Sequence, residues 1–238
     1  MELETISVGR LALSFLPVTA VIAIMAWWKI GVGRAFYAIA RMLLQLTLIG
    51  YVLVYIFQTD SALVVSGVLS IMVIAASWIA LNTVNMPRRS FFLESLVSVA
   101  LGGGATLLLI TSGVLRLDPW YTPNSIIPLA GMIFAASMTN ISLAFERLHA
   151  EMRNGVNFAA ARDIAFRTSM IPVINSFFAV GLISLPGMMT GQILSGVSPL
   201  IAVRYQIMVM CMIFGAAGLS TACFLALIGK AKVFRTTG

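Results

Sequence analysis

Seven continuous apolar runs of membrane-spanning length limit what this 238-residue chain can fold into: 11–28, 35–57, 61–82, 91–113, 126–146, 171–194 and 200–228. A hydrocarbon core of roughly 30 Å takes about 20 residues of helix to cross. The runs are apolar throughout instead of alternating, which predicts helices and not barrel strands. In lipid the backbone N–H and C=O groups must be paired within the segment or in a closed barrel. The expectation is an all-α polytopic membrane protein of about seven transmembrane helices, one transmembrane domain spanning 1–238. Composition agrees: 60% of residues are hydrophobic and 10% charged, against roughly 25% charged in soluble domains.

The net charge of +7 would suggest nucleic acid in a soluble protein. Here the cations sit in short connections between spans, so they report orientation and predict no nucleic-acid partner. Lys29, Arg34, Arg41, Arg88, Arg89, Arg147, Arg153, Arg162, Arg167, Lys230, Lys232 and Arg235 fall in the odd-numbered connections and the C-terminal tail, 12 of the 15 Lys and Arg. Arg10, Arg116 and Arg204 fall on the other side. The positive-inside rule then places the N-terminus outside and the C-terminus in the cytoplasm. The first ten residues, MELETISVGR, carry two Glu against one Arg, the wrong sign for a signal peptide, so the first run is read as an uncleaved span. Trp27, Trp28, Tyr51, Tyr55, Trp120 and Tyr121 stand where interfacial anchors to lipid belong. Cys211 and Cys223 share one predicted helix about 18 Å apart along its axis and cannot pair with each other.

One stretch cannot lie in hydrocarbon. Glu146–Met170, ERLHAEMRNGVNFAAARDIAFRTSM, holds four of the 15 basic residues, three of the eight acids and the only His. Its residues 147–170 are expected to form a cytoplasmic loop. The fifth helix, near whose start Pro128 stands, is expected to run past Glu146 and stop at Asn154-Gly155. Asn157 then caps a new helix beginning at Phe158, on which Asp163 and Arg167 form an i,i+4 pair. Phe158, Ala161 and Ala165 fall on another side. The pattern predicts a short amphipathic helix on the membrane surface, either a lever against a soluble partner or a helix resting on headgroups. Gly155, Asn157, Phe158, Arg162, Asp163 and Arg167 are the candidate coupling residues.

Polar groups within spans are costly and mark candidate functional positions. Arg41 and Gln45 share a face of the second helix with Arg34. On the fourth, Ser90, Glu94, Ser98, Gly102 and Thr106 form a small polar stripe suited to close helix packing. Glu94 is expected to pair with Arg41 or to receive a cation. The sixth span carries Asn175 and then Pro186, Gly187, Met188, Met189, Thr190, Gly191 and Gln192. That run predicts a kinked or discontinuous helix, a candidate outer gate. Methionine is frequent, at 14 residues; thioethers are soft ligands that suit Cu(I) better than iron, and they also fill irregular cores.

Ala150–Gly155, a following helix and Ile171-Pro172 resemble a degenerate form of the Glu-Ala-Ala loop of ABC-transporter permeases. A closer match follows. IPVINS from Ile171, GLISLPGMMTGQIL from Gly181, Ser198-Pro199 and RYQI from Arg204 resemble the FetB-type iron-export permease family, which also contains the plant aluminium-sensitivity proteins. Arg41, Gln45, Gly50-Tyr51, PLAGM from Pro128 and Glu146-Arg147 fit it too. The chain departs from the pattern at Ala135-Ala136, where Gly-Asn is expected. The resemblance implies a permease subunit of an ABC exporter in the bacterial inner membrane, a homodimer with two copies of a separate ATP-binding subunit. It implies iron as cargo, and ATP and Mg bound by the partner rather than by this chain. The residues agree on one point, because no G-x-x-x-x-G-K-[ST] occurs to cradle phosphates. The chain is therefore expected not to be an enzyme itself. Another metal or a nucleotide sugar stays open as cargo, and a stand-alone channel or secondary carrier as mechanism. A retinal-type seven-helix protein is excluded, since Lys29, Lys230 and Lys232 all lie at helix ends.

Overall fold

The computed structural model describes residues 7–84 and 87–229. The chain is all-α and polytopic, and it divides into two units, Met1–Gln58 and Thr59–Gly238.

The first unit holds α1 (Val8–Leu13), α2 (Leu16–Trp27) and α3 (Val32–Ile56). Ser7 starts α1, its Oγ accepting from the Arg10 amide at 3.4 Å. Pro17 accounts for the break before α2: its ring has no N–H and crowds the carbonyl four residues back, that of Leu13, where α1 ends. Within these helices only Ile56 is buried. Such exposure of Leu, Ile and Val has little cost in lipid, whose tails are as apolar as the side chains.

The second unit is the packed one. It runs through α4 (Ala62–Ala80), α5 (Phe92–Val114), α6 (Pro123–Arg153), α7 (Phe158–Ala179), α8 (Gly187–Leu194) and α9 (Pro199–Leu227). A single 3-10 turn at Arg88–Ser90 precedes α5. Helix α6 is the axis and touches α4, α5, α7 and α9. Phe91, Phe145 and Phe224 form an aromatic ladder beside its C-terminal half, with ring centroids 5.0 and 5.6 Å apart. Pro128 does not stand near the helix start; α6 begins five residues earlier at Pro123 and carries Pro128 inside it. At 31 residues α6 is about 46 Å long, more than a bilayer core of roughly 30 Å needs.

Two stretches of α5, Val99–Gly103 and Leu109–Val114, are wound as π-helix. The polar stripe of α5 packs as its small side chains suggest. A Cβ on Gly102 would lie 2.4 Å from the Ser220 backbone nitrogen, so glycine is required where α5 crosses α9. Beside that crossing, the Ser220 hydroxyl donates to Ser137 Oγ at 2.9 Å, and Ser137 donates to the Ala216 carbonyl at 3.3 Å. These hydroxyls find partners within the bundle, as buried polar groups must.

Among the described residues, six helical segments are long and apolar enough to cross a membrane, α1 and α2 together (Val8–Trp27) counting as one of them. The expected sixth span, 171–194, is not one helix. Helix α7 ends at Ala179, residues 180–186 form a turn, and α8 starts at Gly187. Gly181 has φ +84°, which a side chain resists, and its amide donates to the Ser184 carbonyl at 3.0 Å. Pro186 caps α8 instead of kinking a continuous span. Nor is there a separate surface helix ending at Met170. Phe158–Ala179 is one 22-residue helix that passes through Pro172 without a break. Its first turns carry Arg162, Asp163 and Arg167, and these charges keep it from qualifying as an apolar span.

Candidate functional site

Two groups of residues combine polar chemistry with a defined geometry. The first is the turn between α6 and α7. Helix α6 stops in a paired C-cap: the Gly155 amide donates to the Met152 carbonyl and the Val156 amide to the Glu151 carbonyl, both at 3.1 Å. This arrangement needs a left-handed residue, and Gly155 supplies it at φ +83°. Two residues on, Asn157 Oδ1 accepts from the Ala160 amide at 3.0 Å and starts α7. Ala161 and Ala165 are fully buried, small enough for α7 to pack closely on α6 and α9. The Asn140 amide donates to the Met170 thioether at 3.3 Å, a further tie between α6 and α7.

Arg162, Asp163 and Arg167 line a cleft of about 360 Å³ together with Phe166 and, from α9, Ala222 and Leu225. The expected Asp163–Arg167 pair is replaced by a neighbouring one, with Arg162 Nε and Nη2 donating to Asp163 Oδ1 at 3.1 and 2.9 Å. The pair is solvent-exposed and worth little to stability; its position at the rim of a cleft is the informative feature. In the last turns of α6, Arg147 and Glu151 pair at 2.5 Å.

The second group surrounds the turn between α7 and α8. A cavity of about 460 Å³ is lined by Met188 and Gln192 of α8, Met132 of α6, and Tyr205 and Met208 of α9. A second, of about 350 Å³, shares Met132 and Met188 and adds Pro186, Gly187, Gln206 and Met210. The two Oε1 atoms of Gln192 and Gln206 are buried without a hydrogen-bond partner. Among the described residues no three His, Cys, Asp or Glu side chains converge on a metal position.

The structure thus brings Pro186, Gly187, Met188 and Gln192 around adjoining cavities. Met189 turns to a separate apolar cleft beside Phe177 and Cys211. Thr190 and Asn175 line neither of the two shared cavities. Glu94 sits half-buried in the first turn of α5, where its carbonyl accepts from Ser98 Oγ at 2.6 Å. Arg41 and Gln45 lie on α3 in the first unit, exposed there. Gln206 and Met132 are additions that the sequence reading passed over as candidate sites. An amide in the eighth position of a 29-residue apolar helix was the signal for Gln206.

Comparison with known proteins identifies the family. The profile described as "Uncharacterised protein family (UPF0014)" matches residues 8–161 and 155–234, nearly the whole chain. The chain belongs to the UPF0014 family. That membrane family includes both FetB-type iron-export permeases and plant aluminium-sensitivity proteins. UPF0014 membrane protein slr1647 of Synechocystis sp. is 36% identical over 227 residues, 88% of this chain and 87% of that protein. The probable iron export permease protein FetB of Escherichia coli is 32% identical over 245 residues, 94% and 92% of the two chains. Protein ALUMINUM SENSITIVE 3 of Arabidopsis thaliana is 33% identical over 205 residues, covering 79% and 73%. No solved structure matches the chain. Membership in UPF0014 supports a general role in transport across the membrane.

Proposed function

We propose that this chain is the membrane-spanning permease subunit of an ABC transporter that exports iron from the cytoplasm, with ATP hydrolysed on a separate subunit. The observation that carries this reading is the 32% identity to FetB, a probable iron export permease, over 94% of the chain. The lack of a phosphate-cradling G-x-x-x-x-G-K-[ST] motif in the sequence is consistent with an ATPase supplied by a partner. In this reading two permease copies pair in the bacterial inner membrane, each docking one ATP-binding subunit. The N-terminus lies outside and the C-terminus inside. The C-terminal end of α6, the Gly155 turn and the cleft lined by Arg162 and Arg167 then form the docking element. Because α7 is continuous, motion imposed at Arg162 reaches the Gly181–Pro186 turn as a rigid-body shift of one helix, about 33 Å long. Gln192 and Met188 sit where that shift would open or close the cavities.

The name of the plant relative favours one alternative, a different metal as cargo. Co-purification and cell metal content test the reading. The expected outcome is one ATP-binding subunit per permease, ATPase activity altered by Arg162→Glu, and higher cell iron when the chain is deleted. Iron unchanged while aluminium rises would transfer the cargo to the alternative. A permease that transports without any ATPase partner would end the ABC reading.

A further inference from the structure

We propose that the adjoining cavities between α6, α8 and α9 form a binding site for a soft monovalent cation, Cu(I) in cells, held by thioethers and amide oxygens. The site does not rest on the permease reading: its neutral lining disfavours the divalent iron which that reading makes the cargo, so it is a cation site apart from the iron path. Three observations support it.

First, methionine is concentrated there. Met132 and Met188 line both cavities, Met208 lines one and Met210 the other. The four come from three different helices, so no sequence repeat produces their meeting. Core filling would leave the space closed, whereas here the thioethers border open cavities of about 460 and 350 Å³. Second, each cavity carries an amide side chain with an unsatisfied oxygen. Gln206 is 6% exposed, and its Oε1, like that of Gln192, is buried without a hydrogen-bond partner. A buried carbonyl oxygen is costly to leave unpaired, and a cation is one partner that satisfies it. Third, the lining is neutral. Neither cavity is bordered by Asp, Glu, Lys, Arg or His.

These features select by charge and softness together. The cost of moving an ion out of water grows with the square of its charge, so a divalent ion is penalised about four times as heavily as a monovalent one. No carboxylate lines the site to offset that. Thioether sulfur is a soft donor that favours Cu(I) over harder divalent ions. The amide oxygens complete the shell without adding charge. No electron transfer is involved; the ion enters and leaves as the monovalent cation.

Ag(I) alone serves as the probe, being redox-inert. The full chain is placed in lipid nanodiscs with Cys211→Ala and Cys223→Ala, so that thiolates do not compete, and binding is followed by calorimetry. The expected result is one saturable ion per chain, with sulfur neighbours in the X-ray absorption spectrum of bound silver. Met132→Leu with Met188→Leu, close in volume to the original pair, should weaken binding at least tenfold. Met212→Leu, a thioether on α9 outside both cavities, should leave it unchanged. The absence of saturable binding, a spectrum without sulfur neighbours, or affinity that survives the double substitution would each overturn the proposal. Displacement of Ag(I) by equimolar Fe(II) would overturn the charge argument. The spectrum requires no cavity variant, so misfolding of one cannot hide the answer. No ATPase takes part, so failure here leaves the ABC reading standing, and failure of the ABC reading leaves this site standing.

Discussion

Replacing Gly155 isolates a backbone effect from every other. The residue holds φ +83° at the end of α6, and nothing lies within 4 Å of where a Cβ would sit. A Cβ at position 155 therefore meets no neighbour and no side-chain contact is removed; the cost reckoned for Gly155→Val is conformational. An L-residue in the left-handed region costs about 1–2 kcal/mol, and a β-branched one lies nearer the upper end of the roughly 1–3 kcal/mol range for strained backbone. At a factor of ten for every 1.4 kcal/mol or so, the intact cap, with its two 3.1 Å hydrogen bonds from Gly155 and Val156, loses about one to two orders of magnitude against frayed alternatives. Global stability falls less visibly, by several degrees in Tm for a chain of this size. In proteoliposomes with the partner ATPase, metal moved per ATP hydrolysed should fall about tenfold in Gly155→Val, in line with that population loss. Gly155→Asn should retain most of it, since Asn tolerates the left-handed region better than other side chains. Wild-type coupling in the Val variant would refute a role for the turn. Equal loss in the Asn and Val variants would refute the backbone explanation.

Removing the start signal of α7 has a smaller effect. Asn157→Ala loses the 3.0 Å bond to the Ala160 amide and should cost about 1 kcal/mol, restored by Asn157→Asp, as read from thermal unfolding. Gly102→Ala is the severe packing case. Its Cβ would meet the Ser220 backbone at 2.4 Å, so α5 and α9 must separate by about 1 Å, an overpacking cost of roughly 1–3 kcal/mol. The measured sign is a lowered Tm, and an unchanged Tm would mean that the crossing is looser than described.

Apolar length and the Gly155-Val156-Asn157 sequence determined much of this protein before any tertiary contact was considered. Spanning helices follow from hydropathy, because lipid forces the backbone to pair locally. The stop at Gly155 and the restart at Asn157 follow from local chemistry, a glycine that accepts positive φ and an amide side chain that accepts from the backbone. The end of α7 was harder to read. Pro172 and Pro186 look alike in sequence, yet α7 passes through the first, and the second caps a new helix after Gly181 has already turned the chain. The partner of Asp163 likewise depended on rotamers, and it is the adjacent Arg162.

What tertiary structure alone decided is which polar and sulfur side chains meet. Met132, Met188 and Gln206 lie on three helices separated by loops and broken turns, so no periodicity within one helix relates them. Their convergence depends on how α6, α8 and α9 pack, and that packing is set by contacts far along the chain such as Ser137 with Ser220. Hydropathy makes every such helix apolar; only packing distinguishes the face that meets lipid from the face that borders a cavity.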